Sequence, residues 1–310
     1  MKNSSVLVVE DEVIVAEDLR VRLNAMGYAV TGTAGNSEEA IASVNALCPD
    51  LILMDIVLEG SAMDGIETAR AILSQRDIPV IFVTAFADDP TLERAKTAGP
   101  FAYILKPFNE RELYSAIELA LHRHQAEMEI KKRDAILFAT CFAIEWFLRH
   151  KKESRKAKLN HPLTIESGIV EILGQVGLAI DASALVVFKK IPGPEGTCGA
   201  DIQYTWESPG TPQVLPHSSK GYPALSIPAS IWEDLLATGN SYVGNTLMLP
   251  EWERGFFETC NISSMAMLPL FNDNTLWGFI AIFSCIPRVW SDSEMEAMRV
   301  AGNIVGAVVE

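Results

Sequence analysis

From Ser5 to about Leu121, short apolar runs alternate with longer amphipathic segments. Strand-like runs fall at Ser5–Glu10, Tyr28–Thr33, Leu51–Asp55, Val80–Thr84 and Ala102–Leu105. Between them, apolar residues recur at helical spacing over Glu12–Met26, Ser37–Leu47, Gly65–Gln75, Pro90–Thr97 and from Glu110 onward. The helix starts carry suitable chemistry: Ser37 and Asn109 can cap, Glu112 completes a capping box with Asn109, and Pro90 suits a first turn. Leu51-Ile52-Leu53-Met54 lacks alternation, as expected of a parallel strand buried on both faces. Such βα units with short connections predict a parallel, doubly wound sheet. Right-handed crossovers then bring the carboxyl ends of its strands to one edge.

After Glu110 the pattern changes. Leu113, Ile117, Leu121, His124, Met128, Ala135 and Phe138 keep three- and four-residue spacing, so one long helix, or two nearly continuous ones, is expected from Glu110 to about His150. Ala135–Leu148 is apolar nearly all round and must be buried, either in the second domain or across a dimer. His124 and Lys131 make an imperfect coiled-coil seam. The basic run from Arg149 through Lys158 reads as a solvated linker. Beyond it come a helix at Thr164–Ile180, strands at Ser183–Lys190 and Asp201–Glu207, and helices at Pro228–Thr238 and Pro250–Thr259. Ser264–Phe271 and Leu276–Cys285 flank Asn272-Asp273-Asn274, which predicts an antiparallel hairpin. Ser291 and Glu294 form a capping box that opens a last helix, Asp292–Val309.

Composition narrows the function classes. A chain of 310 residues suggests two domains. A formal net charge of −15 argues against nucleic-acid binding through a basic face. Met1-Lys2-Asn3-Ser4-Ser5 lacks a signal-peptide core, and Ala135–Leu148 is too short to span a bilayer. Cys48, Cys141, Cys198, Cys260 and Cys285 are scattered, without a Cys-x-x-Cys pair, as suits a reducing compartment. A cytoplasmic protein is expected. His122, His124, His150 and His161 lack metal-like neighbours and read as surface residues.

The shared strand edge carries the candidate chemistry. Strand one ends in Glu10-Asp11, strand three in Asp55, strand four in Thr84, and strand five in Lys106-Pro107. Acidic residues at strand ends are common, and each alone reads as structural. Placed jointly on one edge, three carboxylates repel one another unless a cation joins them. Mg²⁺ fits best, with oxygen ligands and sites left for water and phosphate. Lys106 adds a positive charge and Thr84 a hydroxyl donor, an assembly suited to phosphoryl transfer onto Asp55.

These residues resemble the receiver domain of two-component response regulators over roughly Ser4 to Leu121. The resemblance rests on Val-Val-Glu10-Asp11-Glu12, Leu-Met-Asp55-Ile, Met63-Asp64-Gly65, Val-Thr84-Ala85 and Tyr103-Ile-Leu-Lys106-Pro107-Phe108. It implies a flavodoxin-like (βα)5 fold with Asp55 as the phospho-accepting residue. It further implies that Asp11 ligates Mg²⁺ directly, that Glu10 assists through water, and that the Val57 backbone carbonyl completes the protein's share. Thr84 would bind a phosphoryl oxygen, Lys106 would pair with it, the Lys106–Pro107 peptide would be cis, and Tyr103 would be the switch aromatic. Its position can equally hold a static, half-buried tyrosine, and the residues alone do not separate the two; the resemblance favours the switch. The implied partner is a sensor histidine kinase or phosphotransfer protein.

The remainder resembles a GAF domain, an α/β fold with a central antiparallel sheet, over about residues 130–310. The matching residues include Arg133-Asp134-Ala135-Ile136-Leu137, Trp206-Glu207, Trp232-Glu233-Asp234-Leu235-Leu236, Ser263-Ser264-Met265, Leu268-Pro269-Leu270, Trp277-Gly278-Phe279-Ile280 and Arg288-Val289-Trp290-Ser291. Trp206, Trp232, Trp252 and the Met265/Met267 stripe could line a small-molecule pocket, or simply form core. Bilin, cyclic-nucleotide and haem signatures are not apparent, and the ligand is unassigned. The expected organisation is a receiver at 1–122, a connecting helix and linker at 123–160, and a GAF domain at 161–310, working as a homodimer that contacts neither nucleic acid nor membrane. The expected function is a two-component response regulator, a phospho-accepting signalling protein with slow self-dephosphorylation rather than an enzyme proper. The alternatives are the N-terminal part of a longer receiver–GAF(–PAS)–histidine kinase and a receiver that sinks phosphate. An aspartate-nucleophile phosphatase would want an acid where Val57 stands.

Overall fold

A computed structural model describes residues 4–85, 89–156, 162–192, 198–211, 239–249, 251–272 and 275–309. The chain divides into two compact units, Met1–Ile130 and Lys131–Glu310.

Unit 1 follows the alternation in the sequence. Its strands are β1 (Ser5–Val9), β2 (Ala29–Ala34), β3 (Leu51–Met54), β4 (Val80–Thr84) and β5 (Ala102–Leu105). Between them run α1 (Val13–Met26), α2 (Ser37–Leu47), α3 (Gly65–Leu73) and α4 (Asp89–Lys96), and α5 (Glu110–Lys156) follows β5. The strand order is β2-β1-β3-β4-β5, and every pairing is parallel. Both sheet faces are covered: Leu7, Val9, Ile52, Met54 and Phe82 pack under α2 and α3, whereas Val6, Val8, Leu51, Leu53 and Ile81 pack with Leu19, Leu23, Leu113 and Ile117 of α1 and α5. This double burial is why β3 and β4 read as unbroken apolar runs. Asn109 and Glu112 form the expected reciprocal cap of α5. At α2 the cap is Asn36, not Ser37: the Asn36 carboxamide oxygen accepts from the Glu39 N–H at 2.9 Å. Ser37 is already helical, and its N–H donates to the Ser61 hydroxyl.

Unit 2 is built on an antiparallel sheet of order β7-β6-β10-β9-β8. Its strands are β6 (Ala184–Pro192), β7 (Cys198–Glu207), β8 (Tyr242–Asn245), β9 (Ser264–Asn272) and β10 (Thr275–Ser284). Among the described residues its remaining α-helices are α6 (Pro162–Ala179), α7 (Glu251–Thr259) and α8 (Asp292–Val308). The hairpin predicted around Asn272 is β9–β10, with Thr275 opposite Asn272. β8 has no counterpart in the sequence reading. The helix expected to end near His150 continues to Lys156, so the basic run is helical that far. The predicted helix at Pro228–Thr238, with its Trp232 motif, lies outside the described residues, as do the turn residues Asp273 and Asn274, His161, and the side chains of His150, Cys198 and Trp252.

On one face of this sheet, Ile136, Ala139 and Ala143 of α5 pack with α6 and α8. The other face carries Val186, Phe188, Met265, Met267, Phe279 and Phe283 beneath Phe257 of α7, with Phe188 and Phe279 stacked at 4.7 Å. Trp206 belongs to the first face and the Met265/Met267 stripe to the second, so they cannot line one pocket. Trp206 lies against α6 because residue 177 is glycine; a Cβ there would sit 2.1 Å from its ring. Arg288 ties the helical layer together: it donates to the carbonyls of Ile180 (3.0 Å) and Asp181 (2.8 Å), lies over the Trp290 ring at 4.1 Å, and pairs with Glu294. Among the described residues no helix is long and apolar enough to cross a membrane.

Candidate functional site

In doubly wound sheets, functional groups gather beyond the carboxyl ends of the strands. Backbone hydrogen bonds set the positions here. Glu10 N–H donates to Ala34, Asp55 N–H to Val9 at 2.9 Å, and Lys106 N–H to the Thr84 carbonyl at 2.8 Å. These bonds carry the sheet ladder one residue past each strand and leave the side chains of Glu10, Asp55 and Lys106 on one edge.

The structure brings Glu10, Asp11 and Asp55 together, with one carboxylate oxygen of each within 4.8 Å of the others. Asp55 is only 7% exposed and Glu10 4%. The Lys106 ammonium bridges them, 2.5 Å from Asp55 Oδ2 and 2.6 Å from Glu10 Oε2. The other Asp55 oxygen, Oδ1, accepts from the Val57 N–H at 3.1 Å, and Asp11 Oδ2 accepts from the Glu59 N–H at 3.2 Å. Thr84 is fully buried at the end of the neighbouring strand. Tyr103, beside it on β5, stacks on Phe82 with ring centroids 5.8 Å apart, and its hydroxyl is buried without a partner among the described residues. The Lys106–Pro107 peptide bond is cis.

The electrostatics of the cluster are unbalanced. Burial, reinforced by the nearby Asp55 charge, pushes the Glu10 carboxyl above its usual range even though Lys106 pulls it down. Burial would lower the Lys106 ammonium, but its hydrogen bonds to Asp55 and Glu10 outweigh this and hold it above its ordinary value. Three acidic side chains face a single ammonium, so the pocket favours a further cation. An all-oxygen donor set of this kind suits a hard divalent ion.

Two contributors escaped sequence reasoning as individual residues. A Cβ on Gly65 would lie 1.8 Å from the Asp55 carbonyl oxygen, and the Gly65 N–H donates to Ile56 at 2.9 Å. Glycine therefore lets the start of α3 back directly onto the loop that carries Asp55. Its signal in the sequence is a glycine at the first position of an otherwise good helix, directly after the capping Asp64. Glu59 contributes only its backbone N–H, which leaves no trace in residue type.

Strand order β2-β1-β3-β4-β5 with an acidic cluster at its carboxyl edge defines unit 1 as a flavodoxin-like domain built for anion or cation chemistry at that edge. Residues 6–118 match the family described as "Response regulator receiver domain" and residues 171–309 match the GAF domain. The chain thus carries a response regulator receiver domain followed by a GAF domain. It is similar to the transcriptional regulatory protein PdtaR of Mycobacterium tuberculosis, with 41% identity over 118 residues, covering 38% of this chain and 57% of the relative. It is also similar to the DNA-binding response regulator MtrA of Mycobacterium tuberculosis, with 33% identity over 122 residues, covering 39% of this chain and 52% of the relative. Among solved structures, the signal receiver domain of a modulated diguanylate cyclase from Desulfovibrio desulfuricans G20 matches with 41% identity and a TM-score of 0.38, covering 40% of this chain and 97% of that one. The chain spans about half the length of the curated relatives it matches.

Proposed function

We propose that this protein is a two-component response regulator in which Asp55 accepts a phosphoryl group from a histidine kinase or phosphotransfer protein and the GAF domain receives the resulting change. The observation that carries the reading is the Asp55 carboxylate itself, held within a cluster with Glu10 and Asp11 and hydrogen-bonded to Lys106 at 2.5 Å. A carboxylate oxygen forms the new P–O bond as the donor's P–N bond breaks, and the released imidazole keeps the electron pair and takes up a proton. Such a transfer needs positioning and charge neutralisation more than covalent help from the protein.

Glu10, Asp11 and Asp55, with the Val57 carbonyl, would hold Mg²⁺, which when bound supplies a double positive charge against the phosphoryl oxygens. Lys106 redirects its ammonium from Asp55 to a phosphoryl oxygen, and Thr84 donates its hydroxyl to another. Drawing Thr84 inward biases Tyr103 and the surface of β5 and α5, so phosphorylation acts by shifting a two-state population. Tyr103 already lies against Phe82, with a buried hydroxyl that a second arrangement could satisfy. In functional terms we take 1–122 as the receiver, 123–160 as the connecting helix and linker, and 161–310 as the GAF domain. The thiols of Cys48, Cys141, Cys260 and Cys285 are unpaired, which supports a cytoplasmic setting.

Incubation with Mg²⁺ and a small phosphodonor such as acetyl phosphate tests the assignment by intact-mass spectrometry. One acid-stable, base-labile phosphoryl group is expected on the wild type and none on Asp55→Ala. Label persisting on that variant would overturn the site.

A further inference from the structure

The loop between β3 and α3 supplies two backbone groups to the acidic cluster, the Val57 N–H on Asp55 and the Glu59 N–H on Asp11. A backbone donor is aimed only as well as its loop is held. Here Leu58–Ser61 form a β-turn, closed by the Ser61 N–H on the Leu58 carbonyl at 3.2 Å. Gly60, with φ +73°, takes the positive-φ position of a type II turn. Glu59 is therefore the second residue of the turn. Its N–H lies outside the closing hydrogen bond and goes to Asp11 at 3.2 Å.

Ser61 fastens this turn to the rest of the unit. Its hydroxyl accepts from the Ser37 N–H at 2.9 Å and donates to the Ser37 hydroxyl at 2.9 Å. Ser37 is fully buried at the start of α2, and its own hydroxyl donates onward to the Glu38 carboxylate at 2.9 Å. The first N–H groups of a helix have no partner within it, so Ser61 satisfies from another loop a donor that α2 cannot. A buried donor left without its acceptor is costly, which makes the contact hard to open. The sheet order sets β1 between β2 and β3. Because α2 follows β2 and the loop follows β3, the Ser37–Ser61 contact spans the carboxyl end of β1, where Glu10 and Asp11 emerge. At its far end the loop is also tied by Asp64 to Arg94 of α4 at 2.6 Å, but both side chains are partly exposed and such a pair holds weakly.

We propose that Ser61 is a positioning residue for the phosphorylation site. By fastening the loop to α2 across the end of β1, it keeps the Glu59 N–H against Asp11 and so fixes that carboxylate within the cation-binding cluster. Ser61 acts through the loop, and its role rests on the reading of Glu10, Asp11 and Asp55 as a Mg²⁺-assisted phosphorylation site.

Full-length wild type, Ser61→Ala and Ser61→Thr test this by two measurements. Hydrogen–deuterium exchange of the metal-free protein, read in the peptide covering residues 56–64, reports the fastening itself. Titration calorimetry with Mg²⁺ reports its consequence. In Ser61→Ala, exchange in that peptide should rise and Mg²⁺ affinity should fall, each by about five- to tenfold, as the loss of one buried hydrogen bond implies. Exchange in β1, β3 and the strands of unit 2 should be unchanged. Ser61→Thr keeps the hydroxyl and should restore both values. Wild-type Mg²⁺ affinity in Ser61→Ala overturns the proposal, as does faster exchange spread over the whole of unit 1, which would make Ser61 a stabilising residue only. Failure of threonine to restore either value overturns the role of the hydroxyl. A wild type that gives no Mg²⁺ response overturns the phosphorylation-site reading and the proposal with it, whereas failure of the proposal alone leaves wild-type binding intact.

Discussion

Around Asp55 the backbone is packed as closely as the side chains. The Gly65 Cα hydrogen that faces the Asp55 carbonyl stands where any larger group would collide, 1.8 Å from oxygen for a Cβ. The atom met is backbone in a sheet-edge loop and cannot swing aside like a side-chain tip. Gly65→Ala is expected to destabilise unit 1 by about 2–3 kcal/mol through overpacking and to slow phosphorylation of Asp55. Urea unfolding followed by far-UV circular dichroism, with intact-mass labelling, checks both, and an unchanged midpoint would count against the close approach. Glu10, Asp11, Asp55, Thr84 and Lys106 were legible in the sequence because strand ends can be located from local pattern. Gly65 was legible only as part of a motif, since its collision partner lies ten residues away in the chain and meets it through tertiary packing.

At the scale of elements, the N-terminus of α8 is the best-determined helix start in unit 2. Ser291 and Glu294 form a full capping box, and the buried Glu294 carboxylate also pairs with Arg288 and, at 2.7 Å, with Lys132 of α5. Burial opposes ionisation of Glu294, but the bonds from Lys132 and Ser291 and the Arg288 charge outweigh it and hold the carboxyl below its usual range. A folded-state pKa below the unfolded value stabilises the fold fully above the unfolded pKa of about 4.3 and loses that contribution as pH falls through the folded value. All six tryptophans lie between Trp146 and Trp290, so indole fluorescence reports on unit 2. The urea midpoint by fluorescence should therefore fall on acidification from pH 5 to below pH 4. Glu294→Gln should lower the unfolding free energy of unit 2 by about 2–3 kcal/mol at pH 7, since it leaves the largely buried Arg288 guanidinium against a neutral amide, and should flatten the acid dependence. The capping box was readable from Ser291 and Glu294 alone. Arg288 and Lys132 were not, because their contacts with Glu294 need α5, α6 and α8 assembled on one sheet face. The same limit explains α2, where Asn36 and Ser37 are adjacent capping residues and only the backbone path decides between them.

For the whole molecule, two compact units, each with its own sheet and core, imply two unfolding transitions that respond to different ligands. Mg²⁺ should raise the melting temperature of unit 1, by linkage worth about 2.7 kcal/mol at a hundredfold excess over Kd, and EDTA should reverse it. Differential scanning calorimetry checks this, with Asp55→Ala giving a smaller shift; a shift of equal size in that variant would remove Asp55 from the ligand set. The sequence by itself determined that the chain has a parallel βα half and an antiparallel half, and that five chemically matched residues stand at one strand edge. It could do so because burial on two faces writes unbroken apolar runs, and because crossover handedness leaves strand ends a single side. Tertiary structure alone decided which sheet face receives Trp206 and which receives Met265 and Met267, and that β8 joins the edge at Tyr242–Asn245. It also decided that α5 buries Ile136, Ala139 and Ala143 while leaving Leu137, Ile144 and Leu148 to solvent. An all-round apolar helix carries no local mark of which face its own domain will cover, because that choice is made by the elements packed against it.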